Sequence, residues 1–168
     1  MVVIRELREE DGPLLRRFVE SLSEETVYFR FLASGIDREV LIEQLSPRPG
    51  GLTLVAMDGQ TIAGHVAYYK SESEGAEVGL IIRDDYQGRG LGTRLIESIA
   101  HAANARGITM FETIIGWNNT RMIRMVRNMG FPTSEKVEPD LIRIRFPTSI
   151  DPVSLAEFQE KWVFRPDS

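Results

Sequence analysis

The sequence predicts a mixed α/β (α+β) fold in which a central, mostly antiparallel sheet is flanked by helices. Three observations carry this expectation. Runs rich in β-branched and aromatic residues recur along the chain, and two of them are separated by the tight-turn residues Asp58-Gly59-Gln60. Stripes with apolar residues three and four apart fall between those runs. The resulting order of β, helices, three β, α, β, α and two β fits neither a helical bundle nor a simple doubly wound sheet.

Each element has its own local reason. Val2 to Leu7 reads as a first strand, and Asp11 as N-cap with Pro13 in the first turn starts a helix running to about Leu22, with Leu14, Leu15, Phe18, Val19 and Leu22 as its apolar stripe. Ser23 to Thr26 opens a second helical piece through Leu32, and Asp37 caps a third that carries Val40, Leu41 and Leu45. Leu52 to Met57 and Thr61 to Lys70 form a hairpin, and a strand from Ala76 to Arg83 follows the polar stretch Ser71 to Gly75. A glycine-rich run then leads into a helix with Leu91, Leu95, Ile99 and Ala103 at intervals of four, closed by Gly107. Ile108 to Ile115 is a strand, and Asn118 and Asn119 are caps for a helix ending before Gly130-Phe131-Pro132. A last hairpin joins Ser134 to Glu138 with Leu141 to Phe146. Residues 1–146 therefore read as one domain. Residues 147–168 read as an amphipathic helical extension: Ser154 to Glu157 is a capping box, and Leu155, Phe158 and Trp162 form a stripe. That stripe packs on its own domain or at an interface, a homodimer contact being one form.

Composition narrows the function. The chain has 168 residues, 42% hydrophobic and 27% charged, within the range of folded globular domains. No cysteine is present, which removes disulfides, thiolate metal sites and a Cys nucleophile. With only His65 and His101 as histidines, no metal site is expected. A net charge of −5 argues against nucleic-acid binding, which calls for a basic face. The apolar runs are far shorter than the roughly 18 residues a membrane-spanning helix needs. The first residues lack the features of a signal peptide, so the cytoplasm is the expected location.

The most informative segment is Gln87-Gly88-Arg89-Gly90-Leu91-Gly92-Thr93, three glycines where a strand hands over to a helix. Backbone N–H groups can converge there on an anion, aided by the positive end of the helix dipole. That is a cradle for a diphosphate. A Walker A loop is disfavoured because Thr93-Arg94 stands where Lys-Ser/Thr is needed. A dinucleotide fingerprint is disfavoured because Thr93 replaces its last Gly or Ala and an antiparallel hairpin precedes it. Arg121, Arg124 and Arg127 line one side of a helix, either to meet a phosphate or acidic partner or as a solvated face.

Gln87-x-x-Gly90-x-Gly92 resembles the acetyl-CoA pyrophosphate signature of the GCN5-related N-acetyltransferases (GNAT). Asn119, opening a helix that ends in Gly130-Phe131, resembles that family's second signature. Three stretches are similar to the acetyltransferase domain of bacterial protein lysine acetyltransferases: Glu24 to Phe31, Ala76-Glu77, and Asn119-x-x-Met122. The resemblance implies an acetyl-CoA-dependent N-acetyltransferase acting on a protein lysine, such as one on an acyl-CoA synthetase, by direct attack in a ternary complex. A small-amine acceptor and a non-catalytic acyl-CoA sensor remain open.

It also implies site residues. The cofactor segment is Gln87, Gly88, Arg89, Gly90, Leu91, Gly92 and Thr93, with backbone at Ile81 and Ile82 for the pantetheine and the oxyanion, and with Asn119 and Met122 at the last helix. Glu77 matches the catalytic Glu, and a carboxylate partly buried in its strand would serve as general base. Glu112 and then His65 stand in reserve. Many family members place a Tyr seven residues after the helix-opening Asn as general acid; here that place is Val126. Tyr68, Tyr69 and Tyr86 are the remaining proton donors.

Overall fold

In the computed structural model, residues 1–71 and 75–166 are described; Glu72 to Glu74 of the expected polar connection, and Asp167 and Ser168 of the tail, lie outside them. The elements in order are β1 (Val2–Glu6), a 3-10 turn (Glu9–Asp11), α1 (Gly12–Ser21), α2 (Glu24–Phe31), α3 (Arg38–Leu45), β2 (Gly51–Asp58), β3 (Thr61–Lys70) and β4 (Gly75–Ile82). A second 3-10 turn (Asp84–Tyr86) leads to α4 (Leu91–Ala105), β5 (Met110–Gly116), α5 (Thr120–Asn128), β6 (Ser134–Val137), β7 (Leu141–Pro147), α6 (Pro152–Glu157) and a π-helical turn (Phe158–Trp162). The strands form one sheet in the order β1-β2-β3-β4-β5-β7-β6. The β1–β2, β5–β7 and β6–β7 pairs are antiparallel and β4–β5 is parallel, so the expected mixed, mostly antiparallel sheet is present.

The chain divides into two compact units, one of Met1–Tyr68 with Gly79–Ile99 and the other of Tyr69–Val78 with Ala100–Ser168. In the first unit, Leu15, Phe18 and Val19 of α1 and Leu41 and Leu45 of α3 bury against Val55, Met57, Ile62 and Ile81 of the strands. The stripe expected on α1 is therefore the face that packs. Asp11 is not the cap it was expected to be. Its side chain makes no capping bond to α1; it is buried, takes two hydrogen bonds from Arg5 at 2.7 and 2.9 Å, and accepts the Arg8 N–H at 2.8 Å. The Arg5 guanidinium holds its carboxyl below the ordinary range despite burial. A charged partner is the stronger attraction for a buried carboxylate.

In the second unit, Phe111 and Phe146 face each other across β5 and β7 with an edge contact at 5.8 Å, and Phe131 lies 5.6 Å from Phe146. β5 begins at Met110 rather than Ile108, because Ile108 N–H still donates to Ala103 O of the preceding helix at 3.0 Å. The tail also differs from expectation: α6 is capped by Asp151, whose side chain accepts the Ser154 N–H at 2.9 Å, so Ser154 sits inside the first turn. Pro152 at the first helical position shifts the start upstream. Hydrogen bonds from the Ser149 hydroxyl and from Ser154 lower the Asp151 carboxyl to about 2. Phe158 is buried, and Leu155 and Trp162 are half-buried. Trp162 O accepts from Arg145 of β7, and Phe164 N–H donates to Ser134 Oγ of β6 at 2.8 Å.

Candidate active site

The glycine-rich segment belongs to the first unit. After β4 the chain makes its 3-10 turn and enters α4, with Gly88 at φ +78° and Gly90 at φ +82°. A side chain would be strained in that left-handed region. Nothing lies within 4 Å of where either Cβ would be, so the space beside the turn is open. Gly88, Arg89 and Gly90 are exposed, Leu91 and Gly92 are buried and Thr93 is half-buried. The first turn of α4 brings N–H groups without intrahelical acceptors to the same place. These features fit an extended diphosphate held by backbone rather than by side chains.

The Gln87 side chain is engaged within the protein. Its side-chain nitrogen donates to Ile82 O at 3.0 Å and to Thr26 Oγ1 at 3.2 Å, tying the turn to the end of β4 and to α2. Asp84 completes the knot by accepting the Ser23 N–H at 3.0 Å, the Ser23 hydroxyl at 2.7 Å and the Thr26 hydroxyl at 3.1 Å. Burial would raise the Asp84 carboxyl, but these hydrogen bonds outweigh it and hold it below the ordinary value. Ser23 also caps α2 by accepting the Thr26 N–H. Sequence reading missed Thr26 and Asp84 because their partners lie 58 and more residues away. Arg89 lies over the Tyr86 ring at 5.1 Å, and the Tyr86 hydroxyl is committed as donor to Asp58 at 2.5 Å. Ile81 is buried in the core and Ile82 is half-buried.

A second unforeseen feature stands on β4. The guanidinium of Arg30 from α2 packs against Gly79, where a Cβ would fall 2.2 Å from Arg30 Cζ. No residue larger than glycine fits there with Arg30 in place. Arg30 is part of the segment Glu24 to Phe31 singled out above.

The second unit holds the two candidate glutamates, Glu77 and Glu112. Along β4, Ala76 and Val78 are buried while Glu77 between them is exposed. The partly buried carboxylate expected at Glu77 is thus not what the structure has, because strand alternation turns it to the open face. Glu77 is in parallel register with Glu112 of β5, and Glu112 is in register with Arg145 of β7. Glu112 is already engaged: it accepts from Arg145 Nε at 2.8 Å and from Arg143 Nη1 at 3.2 Å, with its side chain 21% exposed. Two candidate bases side by side are thereby sorted, one held in ion pairs and one open.

His65 lies in the core of the first unit, its Nε2 2.8 Å from Leu45 O and its ring stacked near Phe18. Burial lowers its pKa to about 4, so it is neutral at pH 7. Asn119 is buried and caps α5 by accepting the Met122 N–H at 3.3 Å; Met122 is half-buried. Val126, at the place of the family's Tyr, is buried beside Ile123 on the inner face of α5. Of the three arginines on that helix, Arg127 makes two bonds to Glu135 at 2.8 and 2.7 Å, and Arg121 and Arg124 are exposed. Among the described residues, no three His, Asp or Glu side chains cluster to hold a metal ion. No helix among them is long and apolar enough to cross a membrane.

The parallel β4–β5 pair and the glycine turn that opens the helix between them suit a co-substrate carrying a diphosphate. The profile of the acetyltransferase (GNAT) family matches residues 15–131, and the chain belongs to that family. Its members are N-acetyltransferases that use acetyl-CoA. Among curated relatives, acetyltransferase PA5475 of Pseudomonas aeruginosa is 30% identical over 138 residues, 77% of this chain and 74% of that protein. Acetyltransferase Pat of Mycolicibacterium smegmatis is 27% identical over 153 residues, 84% of this chain but 43% of that protein. Among solved structures, the GNAT domain of S. lividans PAT superposes with a TM-score of 0.77 at 25% identity, covering 86% of this chain and 89% of that one.

Proposed function

We propose that this chain transfers the acetyl group of acetyl-CoA to the side-chain amine of a protein lysine, by direct attack in a ternary complex, with Glu77 as general base. The observation that carries the reading is the pair of register-matched carboxylates of which only Glu77 is open to an incoming amine. A lysine amine of pKa about 10.4 is almost wholly protonated at neutral pH, so a base is required. Acetyl-CoA supplies the thioester. Glu77 accepts the proton that the ammonium loses before its nitrogen forms the new C–N bond. No side chain at position 126 returns a proton to the departing sulfur, since Val126 is apolar and buried. The thiol, of pKa near 8.5, can depart as thiolate or take a proton from water.

In this reading the backbone from Gln87 through Gly88, Arg89, Gly90, Leu91 and Gly92 to Thr93 receives the pyrophosphate, and the open left-handed glycines support it. The backbone of Ile81 and Ile82 would pair with the pantetheine. Asn119 and Met122 contribute by fixing the start of α5. Residues 1–146 form the catalytic domain, and the tail is carried on it. A protein acceptor is supported by the resemblance of Glu24 to Phe31, Ala76-Glu77 and Asn119-x-x-Met122 to the protein lysine acetyltransferases and by the exposure of Glu77, which a bulky acceptor can reach.

The test is thiol release from acetyl-CoA, offered in parallel a lysine-bearing acyl-CoA synthetase and a panel of polyamines, amino acids and aminoglycosides. Release that depends on the protein supports the reading. Release with small amines alone would move the function to metabolite or drug acetylation, and no release with any acceptor would favour an acyl-CoA sensor.

A further inference from the structure

The tail from Trp162 to Phe164 is not explained by acetyl transfer, yet it rests on the network beside the proposed base. Arg145 has three engagements, all within the second unit. Its Nε donates to Glu112 at 2.8 Å, its Nη1 donates to Trp162 O at 3.3 Å, and its guanidinium lies 4.0 Å from the centre of the Phe164 ring. Phe164 is itself anchored, its N–H donating to Ser134 Oγ at 2.8 Å. Along β7, Arg143 and Arg145 share the face opposite Ile142, Ile144 and Phe146, which are buried. The tail therefore clamps Arg145 from one side while Glu112 holds it from the other.

The register gives this clamp a consequence. Glu77, Glu112 and Arg145 are successive cross-strand neighbours on β4, β5 and β7. Like charges directly opposite on adjacent strands repel, and a loose carboxylate beside the base would compete for the acceptor's ammonium group. Arg143 alone does not secure Glu112: its contact is longer, at 3.2 Å, and it is shared with Glu138, to which Arg143 Nε donates at 2.6 Å.

We infer that the tail is a positioning element for catalysis: Trp162 O and the Phe164 ring hold Arg145 on Glu112, so that Glu112 stays paired and Glu77 alone meets the amine. This rests on the reading of Glu77 as general base. Arg145 and Phe164 are positioning residues and touch no reacting atom. The tail thus couples to turnover through one guanidinium and one carboxylate.

The experiment is a double-mutant cycle on the full chain. Arg145→Gln and Phe164→Ala are each expected to lower kcat about tenfold, within the range of coupling between contacting residues, with acetyl-CoA affinity unchanged. Phe164→Tyr, which keeps the ring, restores kcat. The decisive arm is Glu112→Gln, which keeps most of the turnover and abolishes the effect of Arg145→Gln when the two are combined. Parental kcat in Arg145→Gln and Phe164→Ala, or effects that multiply with Glu112→Gln, overturn the inference. Circular dichroism and the melting midpoint report that each variant is folded, and Arg145→Met serves if Arg145→Gln is not. Glu77→Gln is run beside them. If it keeps turnover, the base assignment fails; if it loses turnover while Arg145→Gln does not, only the role of the tail fails.

Discussion

The glycine turn of the first unit and the charged ladder of the second solve opposite problems. At the turn the useful groups are backbone N–H donors, present in every residue, and the sequence contributes by removing side chains at Gly88 and Gly90. On the ladder the useful groups are side chains, and the sequence contributes by supplying Arg143 and Arg145 to silence one of two adjacent carboxylates. Binding built on backbone depends on conformation, whereas acid–base chemistry depends on which charges are left uncompensated. Substitutions should therefore affect affinity in one region and turnover in the other.

The largest expected effect breaks the ladder at its open end. Glu77→Gln should lower kcat by roughly 10²- to 10⁴-fold, the usual worth of a general base, while calorimetry finds acetyl-CoA affinity unchanged. A matching loss of affinity would mean that the two regions are not separable.

A pH series on stability comes next and probes the buried His65 of the first unit. His65 has its pKa lowered by burial from 6.5 to about 4, so it binds its proton more readily when unfolded. Its contribution is complete above pH 6.5 and is lost as pH falls towards 4, a change on the order of 3 kcal/mol. Denaturant unfolding at several pH values should show that slope, and His65→Gln should flatten it. Asp84 and Asp11, held low by their hydrogen bonds, lose their contributions only at still lower pH.

At the turn, Gly88→Val or Gly90→Val forces a branched residue into a left-handed conformation that costs about 1–2 kcal/mol. Acetyl-CoA affinity should fall about tenfold, with kcat at saturation retained. Equal losses in both quantities would show that the turn also shapes the chemistry.

The smallest effect is expected where a salt bridge lies outside both regions. Arg127→Ala removes the exposed pair with Glu135 and should move the melting midpoint by about a degree, leaving thiol release unaltered. A clear loss of turnover there would revive the reading of the α5 arginines as an acceptor or phosphate surface.

Legibility in the sequence followed distance along the chain. The strands, the Asp37 and Asn119 caps, and the stripes of α1 and α4 were readable because period and capping are local. Asp11 and Ser154 misled because several residues competed to cap one helix start. Arg5 settled the first through a contact that no local rule contains, and Pro152 at the first helical position settled the second in favour of Asp151. Glu77 was readable as a candidate but not its exposure, since alternation names two faces without saying which is open.

By itself the sequence determined the class of fold and the turn that suits a diphosphate, because strand period, capping and glycine conformation act over a few residues. Only the tertiary structure left Glu77 exposed while pairing Glu112 with Arg143 and Arg145, placed Arg30 on Gly79, and brought Phe164 to Arg145. Those outcomes depend on groups from distant segments meeting at hydrogen-bond distance, where charge pairing acts strongly and a linear pattern leaves no trace.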